Sequence, residues 1–201
     1  MHEILVVDDE QRVLEATQEA LEHNGYKVLG VPNPLEAYKL VRTNPERFAL
    51  ILLDWWFPAQ VHGDLLIQLI QHYLPAFKTP IIVISSHTSL ITKHVMRLGA
   101  YDTLAKPLDD TQLIEAVERA LNKRPPEDPY RRVPQAMGWK EVKRLQLAVT
   151  VVDALASTAS LAEAARYLGC STITLNRWLH HTGLAAFVHV EERKSNAKDT
   201  R

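Results

Sequence analysis

Asp8 and Asp9 follow the apolar run Ile4-Leu5-Val6-Val7, and Asp54 follows a second run, Ala49 to Leu53. Ser85-Ser86 closes a third run, Ile81 to Ile84, and Lys106-Pro107 closes a fourth, Tyr101 to Ala105. Three carboxylates brought to one place repel each other and are tolerated around a hard divalent cation. Mg2+ prefers oxygen ligands and keeps several waters. A carboxylate can also act as the nucleophile in phosphoryl transfer. A lysine and a hydroxyl beside it would bind phosphoryl oxygens and offset the charge that develops on them. The residue types therefore suit metal-assisted phosphoryl transfer onto a carboxylate.

That chemistry requires elements that deliver all five groups to one rim. The first 122 residues provide them as five β-α units. Strands are expected at Ile4–Val7, Tyr26–Val31, Ala49–Leu53, Ile81–Ile84 and Tyr101–Ala105. Between them, apolar residues recur at helical spacing: Val13, Leu14, Thr17 and Leu21, then Leu65, Leu66, Leu69 and Ile70. Val95 and Leu98 mark a further helix, and Leu113, Ile114, Val117 and Leu121 the last. Pro34 is placed to open a short helix. Apolar strands alternating with amphipathic helices predict an α/β fold with a five-stranded, doubly wound parallel sheet covered on both faces. In such sheets, ligands bind beyond the C-terminal ends of the strands.

Residues 123–136 contain four prolines and mixed charge, which predicts a semi-rigid linker. A smaller all-α domain is expected over 137–190, followed by a polar tail at 191–201. Val142, Leu145, Val149, Val152 and Ala156 form one apolar seam on a helix. Ser160 with Glu163 fits a capping box for the next helix. Gly169 breaks that helix. Ser171 is placed to cap a third, holding Ile173, Leu175 and Leu179. This order is that of a helix-turn-helix, whose second helix would enter the DNA major groove. Thr172, Thr174, Asn176 and Arg177 fall away from Leu175 and Leu179 and have groups suited to bases and phosphates.

The N-terminal 122 residues resemble the receiver domain of two-component response regulators. The resemblance rests on Asp8-Asp9, Asp54 with Pro58 four residues on, Ser85, Gly99-Ala100 and Lys106-Pro107. It implies a flavodoxin-like fold and phosphorylation of Asp54 by a sensor histidine kinase. It further implies Mg2+ held by Asp8, Asp9, Asp54 and the Trp56 carbonyl, with Ser85 and Lys106 on the phosphoryl oxygens. Three departures stand out. Gly63 lies one residue further from Asp54 than is usual. The stretch from Ser85 to Gly99 is one residue short, which leaves Ser86 as an alternative to Ser85. Thr103 stands where the family usually has Tyr or Phe, with Tyr101 two residues earlier. Trp55-Trp56-Phe57 beside Asp54 would either shield an acyl phosphate, face a partner or pack beneath the loop, and His62 and His87 are read as solvent-side loop residues.

The segment Ser160–Leu184 resembles the Fis-type helix-turn-helix through Gly169, Leu175, Leu179 and Gly183-Leu184, although its third helix is poorer in Lys and Arg than is usual there. The two resemblances together imply a phosphorylation-controlled transcription regulator. The seam from Val142 to Ala156 is longer than a three-helix module of this size needs, so it is expected to pack against its twin in a homodimer, which favours inverted DNA half-sites and direct recruitment of RNA polymerase. No phosphate-binding loop of the G-x-x-x-x-G-K-[ST] type occurs, so no ATPase module is expected. The alternative is a phosphorylation-dependent interaction adaptor without a DNA target. A flavin oxidoreductase on this sheet is disfavoured, because Asp8-Asp9 would repel a cofactor phosphate. No enzymatic activity is expected beyond the chain's own phosphorylation and dephosphorylation.

Charge and composition agree with two modules. The chain carries 23 Lys+Arg and 24 Asp+Glu among 201 residues. Residues 1–122 have net charge −6, residues 123–136 have +2, and residues 137–201 have +3. No apolar run approaches the ~20 residues of a membrane span. One cysteine, Cys170, excludes an internal disulfide. With no secretory signal visible, the expectation is a cytoplasmic protein.

Overall fold

The computed structural model describes residues 3–57, 61–74, 76–122, 139–182 and 184–185. The first compact unit contains β1 (Glu3–Val7), α1 (Gln11–His23), β2 (Lys27–Val31), α2 (Pro34–Thr43), β3 (Leu50–Asp54) and β4 (Trp56–Phe57). The chain then forms β5 (Val61–His62), whose His62 returns to this unit. It continues through α3 (Asp64–Tyr73), β6 (Ile81–Ser85), α4 (Thr88–Arg97), β7 (Asp102–Ala105) and α5 (Asp110–Asn122). The second unit contains α6 (Trp139–Ala156), α7 (Leu161–Tyr167) and α8 (Thr172–Thr182).

The main sheet has five strands in the order β2-β1-β3-β6-β7, with every pair parallel. Position in this order explains the strand compositions. Every residue of the central strands β3 and β6 is buried, because helices cover both faces. A continuous apolar run is the sequence form of such a strand. The edge strands β2 and β7 are only partly buried and carry Lys27, Asp102 and Thr103. Each fully buried Leu or Ile of β1 and β3 contributes roughly 1.5–3 kcal/mol relative to an exposed one.

The five expected strands and their helices are all present, with ends shifted by a residue. The short β4–β5 sheet was not foreseen. It lies in the segment where Gly63 is displaced by one position. Asn33 caps α2 by accepting a hydrogen bond from the Glu36 amide at 2.9 Å, with Pro34 at the first helical position. After α4 the chain turns at Gly99, whose φ of +89° suits glycine. A Cβ there would also lie 2.4 Å from the Gln71 side chain.

The second unit has three helices, with Gly169 at φ +66° between α7 and α8. Ser160 accepts from the Glu163 amide at 3.2 Å, and the Glu163 carboxylate accepts from the Ala159 amide at 2.9 Å. The reciprocal bond thus reaches one residue further back than in the usual capping box. Ser171 accepts from the Thr174 amide at 3.1 Å. Leu175, Leu179 and Leu184 are buried with Ala164 and Ala165 of α7 and with Ala148, Val151, Val152 and Ala154 of α6.

Ile173 is 72% exposed. At about 100° per residue it lies some 200° round α8 from Leu175. Of the expected seam on α6, two side chains are described. Val152 is inside the unit's core and Val149 is half-buried beside it. The side chains of Val142, Leu145 and Ala156 lie outside the described residues, as do the linker 123–136, residues 186–190 and the tail 191–201. No helix among the described residues is long and apolar enough to cross a membrane.

Candidate functional site

The sheet reverses its order of growth at β1: α1 leads outward to β2, whereas α2 leads back across to β3. A crevice forms at such a switch point, beyond the carboxyl ends of the strands. The register fills it with acid. Val7 pairs with Leu53, so the next residues, Asp8 and Asp54, emerge side by side. Asp54 pairs with Ile84, and Ser85 pairs with Ala105, just before Lys106.

Three of these strand-end side chains make the same local bond. Asp8 Oδ1 accepts from the Glu10 amide at 2.9 Å, Asp54 Oδ2 from the Trp56 amide at 3.0 Å, and Ser85 Oγ from the His87 amide at 3.1 Å. Each side chain closes a small turn onto the amide two residues ahead. For the two carboxylates this fixes one oxygen on the backbone and leaves the other directed into the crevice. Lys106 Nζ meets both free oxygens, at 2.8 Å from Asp8 Oδ2 and 2.8 Å from Asp54 Oδ1. The backbone of Lys106 is itself held, because its amide donates to the Ser85 carbonyl at 3.0 Å.

Asp54 is almost wholly buried, with 5% of its side chain exposed, and Asp8 is equally enclosed. Burial pushes the Asp54 carboxyl up to about 6, against the lowering effect of the Lys106 ammonium and the Trp56 amide. Asp9 is exposed at the mouth, and its carboxyl is raised by partial burial and by the neighbouring Asp8 charge. Burial would lower Lys106, but its hydrogen bonds to Asp54 and Asp8 outweigh that and hold the ammonium above its ordinary range. Asp8, Asp9 and Asp54 each offer an oxygen within 4.8 Å of the others. Three hard oxygen donors at this spacing fit a small divalent cation.

Gly63 sets the crevice wall in a way its spacing alone did not reveal. A Cβ at this position would lie 2.6 Å from the Asp54 carbonyl oxygen and 3.1 Å from the Leu53 side chain. Its φ of −59° is ordinary, so close approach of backbone to backbone is what requires glycine here. The Gly63 amide donates to the Trp55 carbonyl at 2.9 Å, which ties the following helix to the Asp54 turn.

The aromatic cluster divides. Trp55 and Phe57 are buried, and Trp55 meets His94 of α4 edge-on at 5.8 Å. Trp56 is 46% exposed and stands edge-on to His87 at 6.4 Å. Packing beneath the loop thus accounts for two of the three rings, and His87 is on the solvent side as expected. The His62 side chain lies outside the described residues. Ser85 is fully buried beside the lysine, whereas Ser86 is exposed on the turn. Thr103 Oγ1 lies 3.1 Å from Thr92 Oγ1, linking β7 to α4 where the usual aromatic is missing. Tyr101 does not take that place. It packs on the core below the rim, and its hydroxyl donates to the Arg119 carbonyl at 3.1 Å.

The family description "Response regulator receiver domain" matches residues 4–118. The chain belongs to this family. It is 35% identical over 123 residues to the transcriptional regulatory protein CrdR of Helicobacter pylori, covering 61% of this chain and 56% of that protein. It is 33% identical over 122 residues to PgtA of Salmonella typhimurium, a phosphoglycerate transport system transcriptional regulatory protein, covering 60% of this chain and 28% of PgtA. The chain therefore spans about half or less of these curated relatives. Among solved structures, the receiver domain of NtrX from Brucella abortus aligns with a TM-score of 0.54 at 30% identity, covering 60% of this chain and 98% of that one. Vibrio cholerae CheY4 aligns with a TM-score of 0.55 at 25% identity, covering 60% and 99%. The receiver match ends before α6, and of the residues expected to contact DNA, Thr172, Asn176 and Arg177 are exposed on α8, while Thr174 is half-buried in its first turn.

Proposed function

We propose that this chain is a response regulator that is phosphorylated on Asp54 by a sensor histidine kinase and controls transcription through its C-terminal helices. The observation that carries the first part is the Lys106 ammonium bridging Asp8 and Asp54 at 2.8 Å in the crevice of a receiver fold. Asp54 Oδ1 is the nucleophile. It attacks phosphorus in a phosphohistidine, forming a P–O bond as the P–N bond breaks, and the imidazole leaves. Lys106 then exchanges its contact with Asp54 for a phosphoryl oxygen while keeping Asp8. The Ser85 hydroxyl serves a second phosphoryl oxygen. Asp8, Asp9, Asp54 and the Trp56 carbonyl would hold Mg2+, which supplies charge neutralisation to the phosphoryl oxygens. Water later hydrolyses the acyl phosphate, and no external substrate is turned over.

The DNA-binding part is supported by the helix order, the buried Leu175 and Leu179, and the exposed Thr172, Asn176 and Arg177 on α8. The names of CrdR and PgtA also describe transcriptional regulators. A twofold homodimer would present two α8 helices about one DNA turn apart, matching inverted half-sites, and would recruit RNA polymerase. One observation favours the adaptor reading instead: Arg177 is the only Lys or Arg on α8. Two experiments test the proposal. A small phosphodonor with Mg2+ should add one phosphoryl group to the chain and none to Asp54→Asn; equal labelling of both would refute the acceptor. Gel shifts against genomic DNA should show binding that weakens steeply with salt. Absence of any shift at low salt would leave the adaptor.

A further inference from the structure

The outward face of α8 holds one side chain that recognition by amide, hydroxyl and guanidinium groups does not explain. Ile173 is 72% exposed. Asn176 and Arg177 stand three and four residues on, both exposed, and so share its face. Leu175 and Leu179 point the other way, into the core. Thr174 belongs to neither face: its hydroxyl lies 3.0 Å from Ser171 Oγ, within the cap. An exposed isoleucine adds nothing to the helix, since a β-branched side chain loses rotamer freedom there and alanine is the better former.

In the DNA major groove the apolar feature of the base edges is the C5 methyl of thymine. An isoleucine beside an asparagine and an arginine complements a thymine flanked by purines. The net charge of +3 over residues 137–201 favours a polyanion over a second copy of the same surface. We propose that Ile173 is a specificity-determining residue that reads a thymine methyl in each half-site. This rests on the DNA-binding reading above.

The test uses the full-length phosphorylated protein and the DNA site it selects. Each thymine is replaced in turn by deoxyuridine, which keeps every hydrogen-bonding group and lacks only the methyl. At one thymine per half-site, wild-type affinity should fall about fourfold, the factor expected for one buried methyl. Ile173→Ala should bind the unmodified site more weakly and be indifferent to deoxyuridine at that position. Ile173→Val should keep the discrimination. Alanine favours the helix, so circular dichroism should show the fold intact. If wild type and Ile173→Ala respond alike to every replacement, the inference is overturned while DNA binding stands. If wild type selects no sequence, both fall. If Ile173→Ala leaves DNA affinity unchanged and lowers self-association, this face is a protein interface and the inference is overturned.

Discussion

Replacing Asp54 with asparagine should stabilise the metal-free protein, although the same change removes its proposed chemistry. Asparagine is the permanent counterpart of a protonated Asp54. Raising the carboxyl from its ordinary 3.8 to about 6 costs the ionised form about 3 kcal/mol at ~1.36 kcal/mol per pKa unit. Little solvent screening reduces this, because only 5% of the side chain is exposed. The folded state binds its proton more tightly than the unfolded chain does. The penalty is therefore absent below pH 3.8, grows between 3.8 and 6, and is complete above 6.

In EDTA, urea titrations of the receiver transition should place Asp54→Asn about 3 kcal/mol above the parent at pH 8. The gap should shrink to roughly 1.5 kcal/mol at pH 5 and to about 0.5 kcal/mol at pH 4. Mg2+ should close it from the other side, by stabilising the parent through binding and not the variant, which lacks a ligand. A variant no more stable than the parent at pH 8, or a gap that does not change with pH, would refute the argument. Lys106 would then offset the burial of Asp54 fully.

Gly63→Ala should destabilise the receiver by about 1–3 kcal/mol, the usual range for overpacking, because its Cβ meets the Asp54 carbonyl at 2.6 Å. A urea midpoint equal to the parent's would show that the wall can yield. Asp9→Ala should keep the fold, since Asp9 is exposed, and should weaken Mg2+ binding by removing a ligand and a charge; an unaltered Mg2+ titration would refute its role. Arg177→Ala should cost ~1–3 kcal/mol in specific DNA binding without changing self-association. Equal affinity for the selected site would place DNA contacts elsewhere. Val149→Asp should break the proposed dimer by burying an unpaired charge at a half-buried position of the α6 seam, and DNA affinity should fall with it. Sedimentation that still shows a dimer would make Val149 only the flank of the unit's core.

The receiver fold was legible because its central strands are buried on both faces and its polar residues stand at their ends. Nothing else in a short apolar run explains Asp8-Asp9, Asp54, Ser85 and Lys106 together. The local bonds that aim these groups were not legible. That Asp8, Asp54 and Ser85 all turn onto the amide two residues ahead depends on backbone torsions, which residue type only biases. Gly63 shows the same limit. Its displacement by one position was visible, but the reason for glycine lies in a 2.6 Å approach between segments joined by a loop. Ile173 differs, because the signal was present in the spacing. Ile173 and Leu175 are two residues apart, a strand spacing, and no helix can bury both on one face. Once α8 is fixed by the Ser171 cap and by Leu175 and Leu179, Ile173 has to face outward. In Thr103 the sequence showed only a missing ring. The structure shows a hydroxyl pair to Thr92 of α4 in its place. A rotating aromatic can swing between an inner and an outer position, whereas a threonine held by a neighbouring hydroxyl ties β7 to α4. In this chain the contact between β7 and α4 at that position is therefore a hydroxyl pair with no ring to turn.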